Sequence, residues 1–304
     1  MHQAQVTEWG QRPKYTDVSE PSAPGPDNVR IKVVAAGLHR VVRSRAAGQH
    51  YSSGELPHVP GTDGVGTTDD DRTVYFSSFS VGSMSEYVNV PKRSVLTIPE
   101  GIDPVQAAGI TNPAMSSWMA FKTRTTNLPK DFSVLILGAT SASGRVAIPL
   151  ARSLGAKRII GAARNKAALD TLDLDQKIII ADDVEQTDFS TLGDADVILD
   201  YVYGPLTVHL FNSLKTTKAV EYVHIGSVSE TLEISLPGAV LRSKNLTIRG
   251  SGPGAWSMQE LLAVMPEMLE AMKNIPEQPV RVAKLADVET EWESTGSERL
   301  VFVP

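Results

Sequence analysis

Val134–Ala156 reads VLILGATSASGRVAIPLARSLGA, and this stretch decides the fold. Val134–Leu137 is a short, wholly apolar run, the pattern of a strand buried on both faces. A turn of small residues follows, Gly138 to Gly144. The spacing predicts a helix from about Gly144 to Leu154, with Gly155 just past its end. Small side chains in such a turn let backbone N–H groups approach a pyrophosphate, and the helix N-terminus adds roughly half a positive charge. Gly138, Ser141 and Gly144 stand at i, i+3 and i+6, the spacing of a dinucleotide fingerprint, with Ser141 where a glycine is common. Thr140, Ala142 and Ser143 complete the candidate cofactor-binding turn. Pro149 lies within the predicted helix and should fall in its first turns or bend it.

Strand and helix signals alternate around this unit. Ile159–Ile160, Ile178–Ile180, Val197–Leu199 and Val220–Ile225 are apolar strand runs, and residues 165–172 read as helix. Such alternation predicts a parallel sheet with helices on both faces. Ser257 and Glu260 make a Ser-x-x-Glu capping box before a helix at about 257–273, which Pro266 should kink. Leu300–Val303 is the last strand expected. Before Pro104 the character differs. Val29–Ala35 alternates and is β-branched, Val74–Phe76 and Tyr87–Val90 are short strand candidates, and Gly and Pro punctuate the region. A compact β-barrel-like domain is expected there, with Asp69–Asp71 as a solvated turn.

A chain of 304 residues suits two cores better than one. Its net charge of −6 disfavours non-specific nucleic-acid binding, which needs phosphate neutralisation. There is no cysteine, which excludes disulfides, Cys-based zinc sites, iron–sulfur clusters and a Cys nucleophile. The polar start lacks the apolar region of a signal peptide, and no run of 18 apolar residues occurs. No membrane span is expected, and the cytoplasm is the default location.

An NAD site usually carries an acidic residue about 20 positions beyond the turn. Counting on from Gly144 reaches Arg164, in GAARNK, and no acidic residue follows until Asp170. Arg164 and Lys166 suit a 2′-phosphate, so NADPH is preferred over NADH.

These segments, in their order, resemble the medium-chain dehydrogenase/reductase superfamily, in its zinc-free, quinone oxidoreductase-like branch. VRIKVVAAGLHRVVRSRAAGQHY, HVPGTDGVGTT, GSMSEYVNVP, LTIPEGIDPVQAAGITNPAMSSWMAF, the GATSASG turn, VEYVHIGS, LTIRGSGPG and RLVFVP each have their counterpart along nearly the whole chain. The resemblance implies an α/β protein of two domains. A GroES-like β-barrel domain takes 1–108 and 254–304. A Rossmann domain, a doubly wound parallel sheet, takes 109–253. The active cleft is expected at the carboxyl ends of the strands. The chain departs from the zinc-using branch at each ligand motif: Leu38-His39 stands near the usual first Cys, and Gly61-Thr62-Asp63 replaces Gly-His-Glu. His39 alone cannot build a catalytic zinc site, so no metal is expected.

The resemblance also supplies site candidates. Tyr51 matches a tyrosine facing the nicotinamide and could bond or protonate a substrate carbonyl. His39 stands where relatives often carry Asn beside the nicotinamide ribose, and could bond the cofactor or polarise a carbonyl. Ser116 matches a Thr near the nicotinamide amide. Gly226, Ser227, Gly250 and Ser251 end strands and should shape the cleft. Tyr51, Trp118 and Trp256 are the aromatics available to line it. His50 and His58 read as loop histidines, and His224 as a core histidine within its strand.

The implied activity is NADPH-dependent hydride transfer to a small-molecule acceptor, a quinone or an α,β-unsaturated carbonyl. The protein supplies position and electrostatics. The rival reading is a non-enzymatic NADPH-binding redox sensor or structural relative. A short-chain dehydrogenase fails because the turn lies mid-chain and no Tyr-x-x-x-Lys pair occurs. Many relatives dimerise through the edge of the Rossmann sheet, which makes Leu246–Arg249 the candidate edge of a homodimer.

Overall fold

The structure is a computed structural model that describes residues 1–126, 128–296 and 298–304. The chain divides into two compact units, Met1–Asn112 with Pro276–Pro304, and Pro113–Ile275.

The first unit is mainly antiparallel sheet. Its strands are β1 (His2–Gln5), β2 (Lys14–Asp17), β3 (Asn28–Gly37), β4 (Asp63–Thr68), β5 (Thr73–Ser77), β6 (Tyr87–Pro91) and β7 (Val95–Thr97), with the short helix α1 (Arg40–Ala46) after β3. The expected runs at Val29–Ala35, Val74–Phe76 and Tyr87–Val90 all lie in strands. Helix α2 (Pro104–Thr123) follows, and the division between the units falls within it.

The second unit holds six parallel strands: β8 (Ser133–Leu137), β9 (Arg158–Ala163), β10 (Gln176–Ile179), β11 (Val197–Asp200), β12 (Val220–His224) and β13 (Leu246–Gly250). Between them run α3 (Ala142–Ser153), α4 (Lys166–Asp170), α5 (Pro205–Ser213) and α6 (Gly238–Ser243), and α7 (Met258–Met272) follows β13. The strand order β10-β9-β8-β11-β12-β13 is that of a doubly wound Rossmann sheet. The chain runs outward from β8 in one direction to β10, then restarts beside β8 at β11. Apolar clusters cover both faces: Val134, Ile136, Ile159 and Leu199 belong to one, Leu135, Leu137, Ile160 and Ile198 to the other. Burial on both faces is why these strands read as continuous apolar runs rather than alternating ones.

The chain returns to the first unit through β14 (Val280–Lys284), α8 (Val288–Glu291) and β15 (Arg299–Val303). The first unit's large sheet has the order β14-β15-β3-β4-β5-β7, with β6 also on β3.

One boundary changes. The sequence reading placed 254–304 with the first domain, but the chain to Ile275 belongs to the second unit. Helix α7 is tied there by Lys122 Nζ, 2.8 Å from Glu267 Oε1, while Arg124 Nη1 donates to the Ala255 carbonyl at 2.6 Å. Pro266 and Pro149 are each accommodated inside an unbroken helical span. The capping box before α7 forms as predicted: Ser257 accepts from Glu260 N–H, and the Glu260 carboxylate accepts from Ser257 N–H.

Candidate active site

In the second unit the site is built from the loops at the carboxyl ends of the parallel strands. Gly138 follows β8 with φ +85°, a left-handed conformation that favours glycine. Its missing Cβ leaves space against Tyr201 and Val202. Gly144 lies in the first turn of α3, where a Cβ would stand 2.3 Å from the Gly138 carbonyl oxygen. Ser141 needs no glycine: it is extended at φ −68°, and its hydroxyl caps α3 by accepting from Gly144 N–H at 3.1 Å. The departure from the all-glycine fingerprint is thus a helix cap. Thr140, Ala142 and Ser143 are partly exposed around this cap, and the Thr140 carbonyl accepts from Arg145 Nε at 3.1 Å.

Arg164 follows the carboxyl end of β9. It is exposed and makes no hydrogen bond or ion pair among the described residues. Lys166 is exposed but engaged, with Nζ 2.7 Å from Asp170 Oδ2. The two predicted cations therefore differ in availability.

Beside β8, the end of β11 carries Asp200, a residue the sequence reading missed. It is fully buried and accepts four hydrogen bonds. Val202 N–H and Tyr203 N–H donate to Oδ1 at 2.7 and 2.9 Å; the Thr207 and Tyr222 hydroxyls donate to Oδ2 at 2.6 and 2.7 Å. The two backbone bonds hold Tyr203 at φ +62° and shape the 201–204 loop. Burial, then the Asp200 carboxylate, push the Tyr222 phenol well up. Tyr201 is buried with its OH 3.4 Å from Ser116 Oγ, and burial raises its phenol to about 12. Ser116 also donates to the Pro113 carbonyl at 2.6 Å.

The 226–229 loop lies over the 201–204 loop. Gly226 N–H donates to the Asp200 carbonyl at 3.2 Å, and Val228 N–H to that of Tyr201 at 2.9 Å. Ser227 is partly exposed between them. Ser251 N–H donates to the His224 carbonyl at 2.8 Å, joining the ends of β12 and β13. His224 is half-buried rather than a core residue, its ring 4.2 Å from that of Tyr203. Burial lowers its pKa, and Asp200 opposes the shift. Gly138, Gly226, Ser227 and Ser251 thus lie on loops at the carboxyl ends of the strands, and Ser116, on α2, meets them through Tyr201. Trp118 does not line them, being 2% exposed.

In the first unit, His39 precedes α1 and is 1% exposed, with neither ring nitrogen hydrogen-bonded. Its Nε2 stands 3.6 Å from Asp63 Oδ1. Asp63 is itself buried and accepts from Thr62 Oγ1 at 2.7 Å and Tyr75 OH at 3.1 Å. Arg299 is close enough to act on both electrostatically and donates from Nη1 to the Leu38 carbonyl at 3.2 Å. Burial pushes the Asp63 carboxyl up to about 6, against the Thr62 and Tyr75 hydroxyls and Arg299. Burial, then Arg299, hold the His39 imidazole well below its usual range, so it is neutral. At 3.6 Å this is a neutral ring beside a carboxylate, not a formed ion pair. Tyr51, by contrast, is 74% exposed, its ring 4.2 Å from that of His50. His58 is buried, paired through its backbone with Val6. Among the described residues no group of three or more His, Asp or Glu could hold a metal ion, and no helix is long and apolar enough to cross a membrane.

A six-stranded Rossmann sheet with a glycine turn at its switch point, in one chain with a mainly antiparallel unit, is the architecture of the medium-chain dehydrogenase/reductase class. Known proteins agree with that class. The chain is 30% identical to a probable NADPH-dependent quinone reductase, tdiC, of Emericella nidulans, over the full length of both. It is 30% identical to the human quinone oxidoreductase over 49% of this chain and 47% of that one. The quinone oxidoreductase of Thermus thermophilus, solved alone and with NADPH, has the same fold: TM-score 0.82 and 24% identity over all of both chains. No family model matches the chain. The chain belongs to the quinone oxidoreductase-like branch of the medium-chain dehydrogenase/reductase superfamily.

Proposed function

We propose that this chain is an NADPH-dependent reductase that delivers hydride to a quinone or another conjugated carbonyl acceptor, without a metal ion. The observation that carries the reading is the cradle at the switch point. Gly138 and Gly144 close a turn that any Cβ at 144 would fill, at the N-terminus of a capped helix. Such a cradle fits a pyrophosphate.

Backbone N–H groups of the 138–144 turn would hold the pyrophosphate. Arg164 is the free cation for the 2′-phosphate; Lys166 would first have to leave Asp170. Ser116 on α2, with Gly226, Ser227 and Ser251 on the strand-end loops, would border the nicotinamide. The bound cofactor supplies the hydride. The protein's part is to orient the acceptor, exclude water and provide hydrogen bonds to the oxygen on which charge develops. Tyr51, on an exposed loop, is the candidate for bonding or protonating that oxygen. The names of the relatives support the quinone as acceptor class.

Fluorescence titration with NADPH and NADH, wild type against Arg164→Ala, tests the binding. Adding 9,10-phenanthrenequinone then follows loss of the NADPH signal. Tight NADPH binding weakened by the substitution, followed by oxidation of the cofactor, is expected. Binding with no oxidation by this quinone or by several enones would favour a non-enzymatic sensor. An activity abolished by chelator and restored by zinc would overturn the metal-free part.

A further inference from the structure

Tyr51 stands on the loop that leaves α1, and the base of that loop is held by a buried cation. Arg45, in the last turn of α1, is 4% exposed. Its partners are oxygen atoms of two loops and the face of one ring. Nη2 donates to the Phe79 carbonyl at 2.6 Å, and Nη1 to Ser52 Oγ at 3.3 Å. The guanidinium carbon lies 5.2 Å from the centre of the Phe79 ring. The Arg45 carbonyl accepts from Ser53 Oγ at 3.2 Å. One residue thus ties the end of α1 to Ser52 and Ser53 on one loop and to Phe79 on another. A buried guanidinium is costly unless its donors are used, so a shift of either loop strands charge in the interior.

The bonds beyond Arg45 have a fixed direction. A guanidinium only donates, so Ser52 Oγ is the acceptor and keeps its own proton to give. His50 Nδ1 stands 2.8 Å from that oxygen and also accepts from Ser52 N–H at 3.1 Å. A backbone N–H only donates, so Nδ1 is bare and the neutral ring carries its proton on Nε2. Burial, then the Arg45 cation, lower the His50 pKa, which keeps the ring neutral. The ring so oriented lies 4.2 Å from that of Tyr51, tilted by 31°. We propose that Arg45 is a positioning residue that acts through Ser52 and His50 to set the ring of Tyr51. The whole chain of contacts lies within the first unit. That Tyr51 bonds or protonates the acceptor oxygen rests on the reductase reading above; the chain from Arg45 to Tyr51 does not.

The test compares Arg45→Met, Tyr51→Phe and the double variant. Arg45→Met removes every donor and keeps the apolar stem. NADPH oxidation by 9,10-phenanthrenequinone gives kcat, and fluorescence gives NADPH affinity. Arg45→Met is expected to lower kcat roughly ten- to hundredfold, the effect of a misplaced group, with NADPH affinity unchanged. Arg45→Lys keeps the charge without the planar fork and should recover part of the loss. Because Arg45 acts through Tyr51, the double variant should lose little beyond the larger single loss. Losses that multiply, or full activity in either single variant, overturn the proposal. Two-bond ¹⁵N–¹H correlation NMR at about pH 8, where an unperturbed imidazole is neutral, reads the chain without turnover. The His50 signals are identified by their loss in His50→Gln. A pyrrole-like Nε2 and a pyridine-like Nδ1 are expected in the wild type, and a mixture in Arg45→Met. A proton on Nδ1 in the wild type, or an unchanged spectrum in Arg45→Met, also overturns the proposal. If Arg45→Met does not fold, Ser52→Ala cuts the hydroxyl link instead, and its non-additivity with Tyr51→Phe decides. A wild type that binds NADPH and reduces no quinone overturns the reductase reading and the role of Tyr51, while the NMR result still decides the chain.

Discussion

A Cβ on Gly144 would stand 2.3 Å from the carbonyl oxygen of Gly138. The turn therefore closes in this form only because residue 144 has no side chain. Gly144→Ala is expected to force the turn open. Overpacking of this kind costs about 1–3 kcal/mol, and the same displacement should lower NADPH affinity at least about tenfold. Fluorescence titration beside thermal unfolding checks both; unchanged affinity would mean that the turn is not the binding cradle.

Arg164 and Lys166 should separate in their effects. Arg164 is uncommitted, whereas Lys166 is paired with Asp170 in an exposed i,i+4 bridge of small net worth. Arg164→Ala is expected to weaken NADPH roughly ten- to hundredfold, the loss of a charge-assisted bond, and to leave NADH nearly unchanged. Lys166→Ala should cost less. Equal losses for both nucleotides would remove the 2′-phosphate role.

Asp200 is a structural acceptor for four donors. Asp200→Ala leaves the buried Tyr222 and Thr207 hydroxyls without that partner and should destabilise the second unit by roughly 3 kcal/mol or more, with Asp200→Asn costing less. Urea unfolding measures this. Wild-type stability in the alanine variant would show that the network carries no weight.

The His39–Asp63 pair predicts opposed pH dependences. Asp63 has a native pKa of about 6, above its ordinary value of 3.8, so the native state binds more protons between those values. Acidification across that window is stabilising through this group. His39 is depressed from 6.5, so the native state binds fewer protons below 6.5, and acidification is destabilising through it. The two slopes oppose each other in the wild type. Asp63→Asn should therefore lose stability more steeply than wild type as pH falls from about 6 to about 4, and His39→Gln less steeply. Urea midpoints at several pH values decide it, and parallel curves for all three proteins would refute the assignment.

The sequence by itself determined the local units. The strand–turn–helix of Val134–Gly155, the capping box at Ser257 and the doubly buried strands are all written in short-range spacing. Each depends on relations a few residues long: a cap at i to i+3, a glycine where φ is positive, an apolar run. The meaning of Ser141 was less legible, since only the cap geometry shows why glycine is not needed there. The tertiary structure decided the rest. Asp200 and Tyr222, Ser116 and Tyr201, and His39, Asp63 and Arg299 are brought together by sheet order and helix packing across tens or hundreds of residues. Whether a carboxyl is raised, an imidazole kept neutral or a cation left free depends on burial and on neighbours distant in the chain, which no local pattern records. Tyr51 and His39 look alike as site candidates in the sequence. The fold exposes one and encloses the other against Asp63, and that difference in solvation separates their chemistry.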